Sequence, residues 1–207
     1  MAFRRRLKGK SAPEGWDLIE SVVEDFEQQM KDAVNEDHEG KRKVEGTWRI
    51  TRVHWEKNRF LFDLMYRKKA ISRELFEWCV REKVADGALI AKWRKPGYEN
   101  LCSMLAIQKG DSNYGNVAMC RVPVGKRAAQ GCLNPSQRTG CISCATGDNE
   151  GGDGPVWWNT ALPEGFAQRR RDKESGKGKG KKRPAPDGDD DVDPEVAKRI
   201  AALKGGA

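Results

Sequence analysis

Arg67-Lys68-Lys69-Ala70-Ile71-Ser72-Arg73-Glu74-Leu75-Phe76 is the stretch on which the fold turns. Its three leading cations close one helical pattern, where they complement the negative end of the helix dipole. Ser72 then offers the side-chain oxygen that opens the next helix, over Arg73 to Lys83, with Leu75, Phe76, Cys79 and Val80 inward. Upstream, the spacing predicts one long helix from Arg42 to Lys69, with Trp48, Trp55, Phe62 and Met65 on one face and Val53, Phe60, Leu61 and Leu64 thickening it. Downstream, Asp86 caps a short helix through Trp93, and Lys95-Pro96-Gly97 ends it, because proline disfavours helix in the residue before it.

Further out, Pro13 suits the first turn of a helix. Ile19, Val22, Val23, Phe26, Met30 and Ala33 form a helical stripe, and Asn35 to Gly40 breaks it. The fold class that follows is mainly α: a small domain of about four helices over residues 13–97. Residues 1–12 read as a flexible basic arm. Residues 98–146 are rich in Gly, Asn, Ser and Cys and poor in apolar runs, so they need a staple or a partner to order. Residues 147–207 read as a disordered, low-complexity tail. Within that tail Trp157-Trp158 fits either a docking peptide or a pair attached to the protein's own core, and Lys179-Gly180-Lys181-Lys182-Arg183-Pro184 fits nuclear import.

Charge is unevenly placed. Apolar residues are 37% of the chain and charged residues 34%, with a net charge of +8. Residues 40–146 hold 21 basic and 9 acidic side chains, whereas residues 13–34 hold 7 acidic and one basic. A basic block interleaved with aromatics points to a polyanion, bound through counterion release. The expected phosphate contacts are Lys41, Arg42, Lys43, Arg67, Lys68, Lys69 and Lys92. Tyr98 and Arg94, beside the thiols, are expected at a surface contact. No segment reaches the length of a membrane span, and the basic start, Met1 to Lys10, is not followed by the apolar run of a secretory signal. The six cysteines therefore read as reduced thiols.

Cys141-Ile142-Ser143-Cys144 has the spacing that lets two thiolates hold one ion from a tight turn, and Cys102, Cys120 and Cys132 are the candidates for the rest. Cys79, on the inward face of its helix, reads as a small buried hydrophobe. A redox dithiol would need a strand-to-helix setting, which Thr139-Gly140 and Ala145-Thr146-Gly147 do not offer. His38 and His54 are far apart in sequence, and no phosphate-cradling glycine loop is present.

Gly15-Trp16-Asp17-Leu18-Ile19-Glu20, His38 to Glu45, Arg59 to Leu64, Tyr66 to Leu75, Ala85-Asp86, Leu89 to Trp93 and Gly97 to Cys102 stand in an order that resembles the bud-site-selection protein thirty-one family of pre-mRNA splicing factors. The resemblance covers residues 13–123 well and 124–146 poorly. It implies a nuclear, non-catalytic scaffold of the activated spliceosome, partnered by small nuclear RNA and nineteen-complex-related proteins, without a membrane or a small-molecule substrate. It also implies a knot of about nine cysteines around three zinc ions. Here this chain departs. By the resemblance, Ser103, Ala106, Ala118, Ser136 and Thr139 stand where the family has cysteine, and Cys132 is out of step. A full three-zinc cluster is not expected. The reading is a degenerate knot with one structural zinc on Cys141, Cys144, Cys120 and either Cys102 or Cys132. The alternative function is a nuclear protein-interaction adaptor or transcriptional coregulator, in which the basic helices meet acidic proteins.

Overall fold

The protein is described by a computed structural model covering residues 10–37, 39–108, 117–127, 133–149, 154–162, 165–166 and 172. His38, Cys132, the start of the basic arm and the Lys179–Pro184 cluster lie outside these residues. The elements in order are α1 (Trp16–Val34), α2 (Trp48–Phe62), α3 (Arg73–Arg81), α4 (Gly87–Trp93), a one-turn α5 (Val124–Arg127), β1 (Cys141–Ser143) and β2 (Val156–Trp157). The architecture is mainly helical, with the thiols grouped in the carboxy-terminal part.

α1 starts later than Pro13, because Gly15 adopts φ 87 and so cannot extend the helix backwards. Its apolar stripe buries Trp16, Ile19, Val23 and Ala33. Trp16 packs edge-on against Trp78 of α3 at 4.9 Å. Phe26 meets Phe60 of α2 at 6.0 Å. Glu27 accepts from the buried Lys57 at 3.0 Å, so α1 and α2 are joined by contacts of both kinds.

The long helix expected from Arg42 to Lys69 is three pieces. A 3-10 turn at Glu45–Thr47 leads into α2, and α2 passes into a π turn over Asp63–Arg67. The π turn closes when Lys68 N–H donates to Asp63 O and Ala70 N–H to Leu64 O, both at 2.8 Å. Lys69 at φ 50 then reverses the chain. Asp63 lies within ion-pair distance of both Arg59 (3.4 Å) and Arg67 (3.3 Å), which draws the two turns together.

α2 is also buried on more than one stripe. Lys57, Asn58 and Arg59 are buried along with Val53, Trp55 and Leu61, whereas Trp48, Phe62 and Met65 are only half-buried. The reason is its central position: helices cover one side and the thiol segment the other. The Arg59 guanidinium lies 5.0 Å from the Phe62 ring centre and 5.5 Å from that of Trp93 while donating to Glu99 O at 3.2 Å. Ser72 and Asp86 cap α3 and α4, Ser72 Oγ accepting from Leu75 N–H at 3.1 Å and Asp86 Oδ1 from Ala88 and Leu89 N–H at 3.0 and 3.1 Å. α3 stops at Arg81, and Lys83 at φ 58 turns the chain into Val84.

The sequence reads as a tail from Gly147. For residues 154–162 and Phe166 that expectation fails. β2 pairs antiparallel with β1, Trp157 is 4% exposed, and Phe166 is buried with Val124, Ile142 and Val156. Trp157-Trp158 thus belongs to the protein's own core: Trp157 lies 6.4 Å from Trp55, and Trp158 5.6 Å from Trp48.

Candidate metal centre

The start of the thiol segment is fixed by two indoles. Trp55 of α2 and Trp93 of α4 both donate to Leu101 O, at 3.1 and 2.8 Å, which places Cys102 directly beneath the helical core. Ser103 caps a 3-10 turn over Met104–Ile107, and Ala118 N–H donates back to Ala106 O at 2.9 Å. That bond sets the second 3-10 turn, Met119–Arg121, and with it Cys120. Cys141 opens β1, and Cys144 follows directly after it. Cys144 N–H then donates to Cys120 O at 2.9 Å, joining the two turns.

These four chain positions bring their sulfurs into one place. Cys102, Cys120, Cys141 and Cys144 are all fully buried, and their sulfurs all lie within 4.8 Å of one another. Cys102 and Cys120 are 3.9 Å apart. A tetrahedral ion with metal–sulfur bonds of ~2.3 Å requires neighbouring sulfurs ~3.8 Å apart, so the spacing suits one ion. A disulfide needs ~2.05 Å, so the same spacing does not describe one. The set is closed, all-thiol and shielded, which is the character of a structural rather than a hydrolytic site.

The surrounding groups support anionic sulfur. Arg121 Nη1 donates to Cys144 O at 2.6 Å and approaches Cys144 Sγ at 3.6 Å, while Nη2 donates to Gly97 O at 2.6 Å. Its Cζ stands 5.0 Å over the Tyr98 ring, which holds the guanidinium in line with the thiols. Burial opposes ionisation of Cys144, but the thiols of Cys102, Cys120 and Cys141 and the charge of Arg121 together outweigh it, so this thiol ionises well below the usual range. Cys102 is pushed well above that range, first by its bond to Cys120, and Cys141 by burial. Binding an ion therefore requires the remaining protons to leave. Cys79 is separate, in the helical core, and burial pushes its thiol up to about 12.

Among the described residues the donors fit one ion: four thiols converge and no second such group is present. Ala106 and Thr139 are fully buried in the same region without a thiol to offer. Thr139 Oγ1 instead accepts from Cys102 Sγ at 3.9 Å and from Cys141 N–H at 3.4 Å. Of the two candidates left open for the fourth ligand, Cys102 is the one among the described residues.

The basic side chains separate into two kinds. Lys41 pairs with Glu36 at 2.9 Å, Arg42 with Glu45 at 3.1 Å, and Arg67 with Asp63 at 3.3 Å. Lys43, Lys68, Lys69 and Lys92 have no described carboxylate within ion-pair distance, and neither do Arg94 and Lys95. Arg94 lies 5.1 Å over the Tyr66 ring of the π turn and Lys92 5.6 Å over Tyr98, so two of these cations bring the end of α4 against aromatic rings. Charge counting along the chain could not have shown this division, since it depends on which carboxylates fold back.

Known proteins resemble this chain over the same region. The family model described as pre-mRNA-splicing factor BUD31 matches residues 1–146. A lancelet relative, protein BUD31 homolog of Branchiostoma belcheri, is 49% identical over 140 residues, 68% of this chain and 96% of the relative. Pre-mRNA-splicing factor BUD31 of Saccharomyces cerevisiae is 38% identical over 151 residues, 68% of this chain and 96% of the relative. Pre-mRNA-splicing factor cwf14 of Schizosaccharomyces pombe is 39% identical over 140 residues, 68% of this chain and 91% of the relative.

Proposed function

Because the chain belongs to the BUD31 family of pre-mRNA-splicing factors, we propose that it acts in pre-mRNA splicing as a non-catalytic nuclear scaffold of the spliceosome, set between small nuclear RNA and neighbouring proteins. The observation that carries the RNA part is the set of unpaired cations. Lys92 lies over the half-buried ring of Tyr98 and Arg94 over that of Tyr66, and neither these two nor Lys68, Lys69 and Lys95 have a described carboxylate to satisfy them. Phosphates would complete that charge, and contacts of this kind position a protein without reading sequence. Lys43 belongs with this set. Lys41, Arg42 and Arg67 would first have to release their carboxylates.

In this reading one zinc ion, held by Cys102, Cys120, Cys141 and Cys144, ties the segment after α4 to the helices. The ion supplies cohesion, and Arg121 supplies balancing charge and orientation from outside the ligand shell. The acidic outer face of α1, which includes Asp17, Asp25 and Asp32, faces a basic protein neighbour.

The test is RNA binding by the full chain carrying K68E, K69E and K92E. The expected result is binding to small nuclear RNA that weakens steeply with salt in the parent, and a salt slope in the variant shallower by about 2. Crosslinking that is unchanged by the three reversals would overturn the RNA contact. Partners that all survive nuclease treatment would favour the protein-only adaptor.

A further inference from the structure

We propose that residues 154–162, together with Phe166, form a built-in strap that fastens the thiol segment independently of metal, so that the segment closes around a single ion and keeps its shape when that ion is withdrawn. The proposal rests on the one-ion reading above, and it adds a second fastening that the reading does not contain.

The strap lies beyond the family-matched residues 1–146. It is nevertheless built into both apolar clusters of the described structure. The pairing of β1 with β2 is irregular, with Cys141 opposite Trp157 and Ser143 opposite Val156 across a bulge. Cys141 and Trp157, which are register partners, face the main core, while Ile142 and Val156 face the second cluster with Val124 and Phe166. The strap therefore covers both sides of the strand that carries the Cys-x-x-Cys pair.

Its seat is shaped to receive it. Gly140 at φ 68 lies between Trp48 and Trp158, and a Cβ there would stand 2.6 Å from Trp48 Cγ and 2.8 Å from Trp158 Cε3. Gly154 at φ 143 lies against Trp55, where a Cβ would stand 2.5 Å from Cη2. Trp158 N–H donates to Gly140 O at 3.0 Å, Trp157 N–H to Thr160 Oγ1 at 3.1 Å, and Arg52 to Asn159 Oδ1 at 2.5 Å. Each of these bonds anchors the strap to itself, to the thiol segment or to α2.

The described thiols are few for a segment of this length. Ala106 and Thr139, packed at 0% and 1% exposure, fill the same segment without a thiol to offer. A site with fewer thiolates contributes less binding free energy to folding. Aromatic side chains each bury on the order of 150–250 Å², a non-directional gain that needs no metal.

The test compares the full chain with its Trp157→Ala variant, each with and without a zinc chelator, by amide exchange at residues 141–144 and by thermal unfolding. The parent is expected to keep its protection at 141–144 after chelation. The variant, with zinc bound, is expected to melt about 10 °C lower and to lose that protection when chelated. Should Trp157→Ala fail to fold, Trp158→Ala, at the half-exposed end of the strap, gives the same comparison with a smaller shift. Protection at 141–144 that collapses equally in parent and variant on chelation overturns the strap. So does a variant that tolerates chelation as the parent does. A parent that purifies folded but without metal sinks the one-ion reading alone. Exchange at 141–144 in Trp157→Ala then still decides whether the strap holds the segment.

Discussion

In the helical half, the fully buried side chains include Val23, Leu61, Leu75, Val84 and Leu89, with the indoles of Trp78 and Trp93 nearly so; in the segment from Leu101 to Ala145, they include Leu101, Ala106, Val124, Thr139 and four thiols. The first group holds its shape by removing apolar surface from water, at roughly 25 cal/mol per Å². The second offers little such surface, so its order comes from what is brought to it: two indole N–H groups on Leu101, an arginine on Cys144, a strand from beyond residue 150 and a metal ion. The lesson is that one small protein can pair a half that is ordered by its own composition with a half that is ordered by its fastenings. Perturbations should therefore sort by half.

The largest separation is expected from Cys144→Ser. Metal content should fall from one zinc per chain to none, while the far-ultraviolet helix signal and amide protection in α1 to α4 stay at parent levels. Loss of helix signal along with the metal would show that the two halves are not held separately. Leu89→Ala makes the opposite break. It opens a cavity in the helical core and should cost about 2–5 kcal/mol in chemical denaturation, with the zinc content unchanged. Asp86→Ala removes the cap of α4, whose Trp93 secures Leu101, and should cost about 1 kcal/mol. Any change in metal affinity it produces would measure how firmly the helices support the thiols.

The smallest effect sharpens the comparison by pH. Burial, then the charge of Lys57, lowers the His54 pKa below its usual 6.5. The unfolded chain then binds a proton that the folded chain resists, so His54 contributes stability that is fully present above 6.5 and is lost as pH falls from there through the lowered folded value. The loss is modest because the ring is partly exposed. His54→Gln should flatten this part of the stability profile, measured by denaturant unfolding between pH 7.5 and 5.5, and leave the thiol segment's own acid sensitivity in place.

The parts legible in the sequence were those written locally. Ser72 and Asp86 announce α3 and α4 because a cap needs only the next three residues. The stripe from Ile19 to Ala33 announces α1 for the same reason. The break at the end of α2 was not legible, since the π turn depends on Asp63 standing between Arg59 and Arg67 and on Lys69 taking a left-handed conformation. Trp157-Trp158 remained ambiguous between an external partner and the protein itself, because the seat that decides it is made by Trp48, Trp55 and Gly140, far away in sequence. Among the thiols, Cys141 and Cys144 announced themselves by spacing. Choosing Cys102 as the fourth ligand required knowing that two indoles draw Leu101 under the helices.

The most direct measurement is the zinc content of the intact, folded chain by native mass spectrometry, with and without Cys102→Ser. The expected result is one zinc per parent chain and none in the variant. Three ions per parent chain, or a single ion that survives the loss of Cys102, would contradict the account.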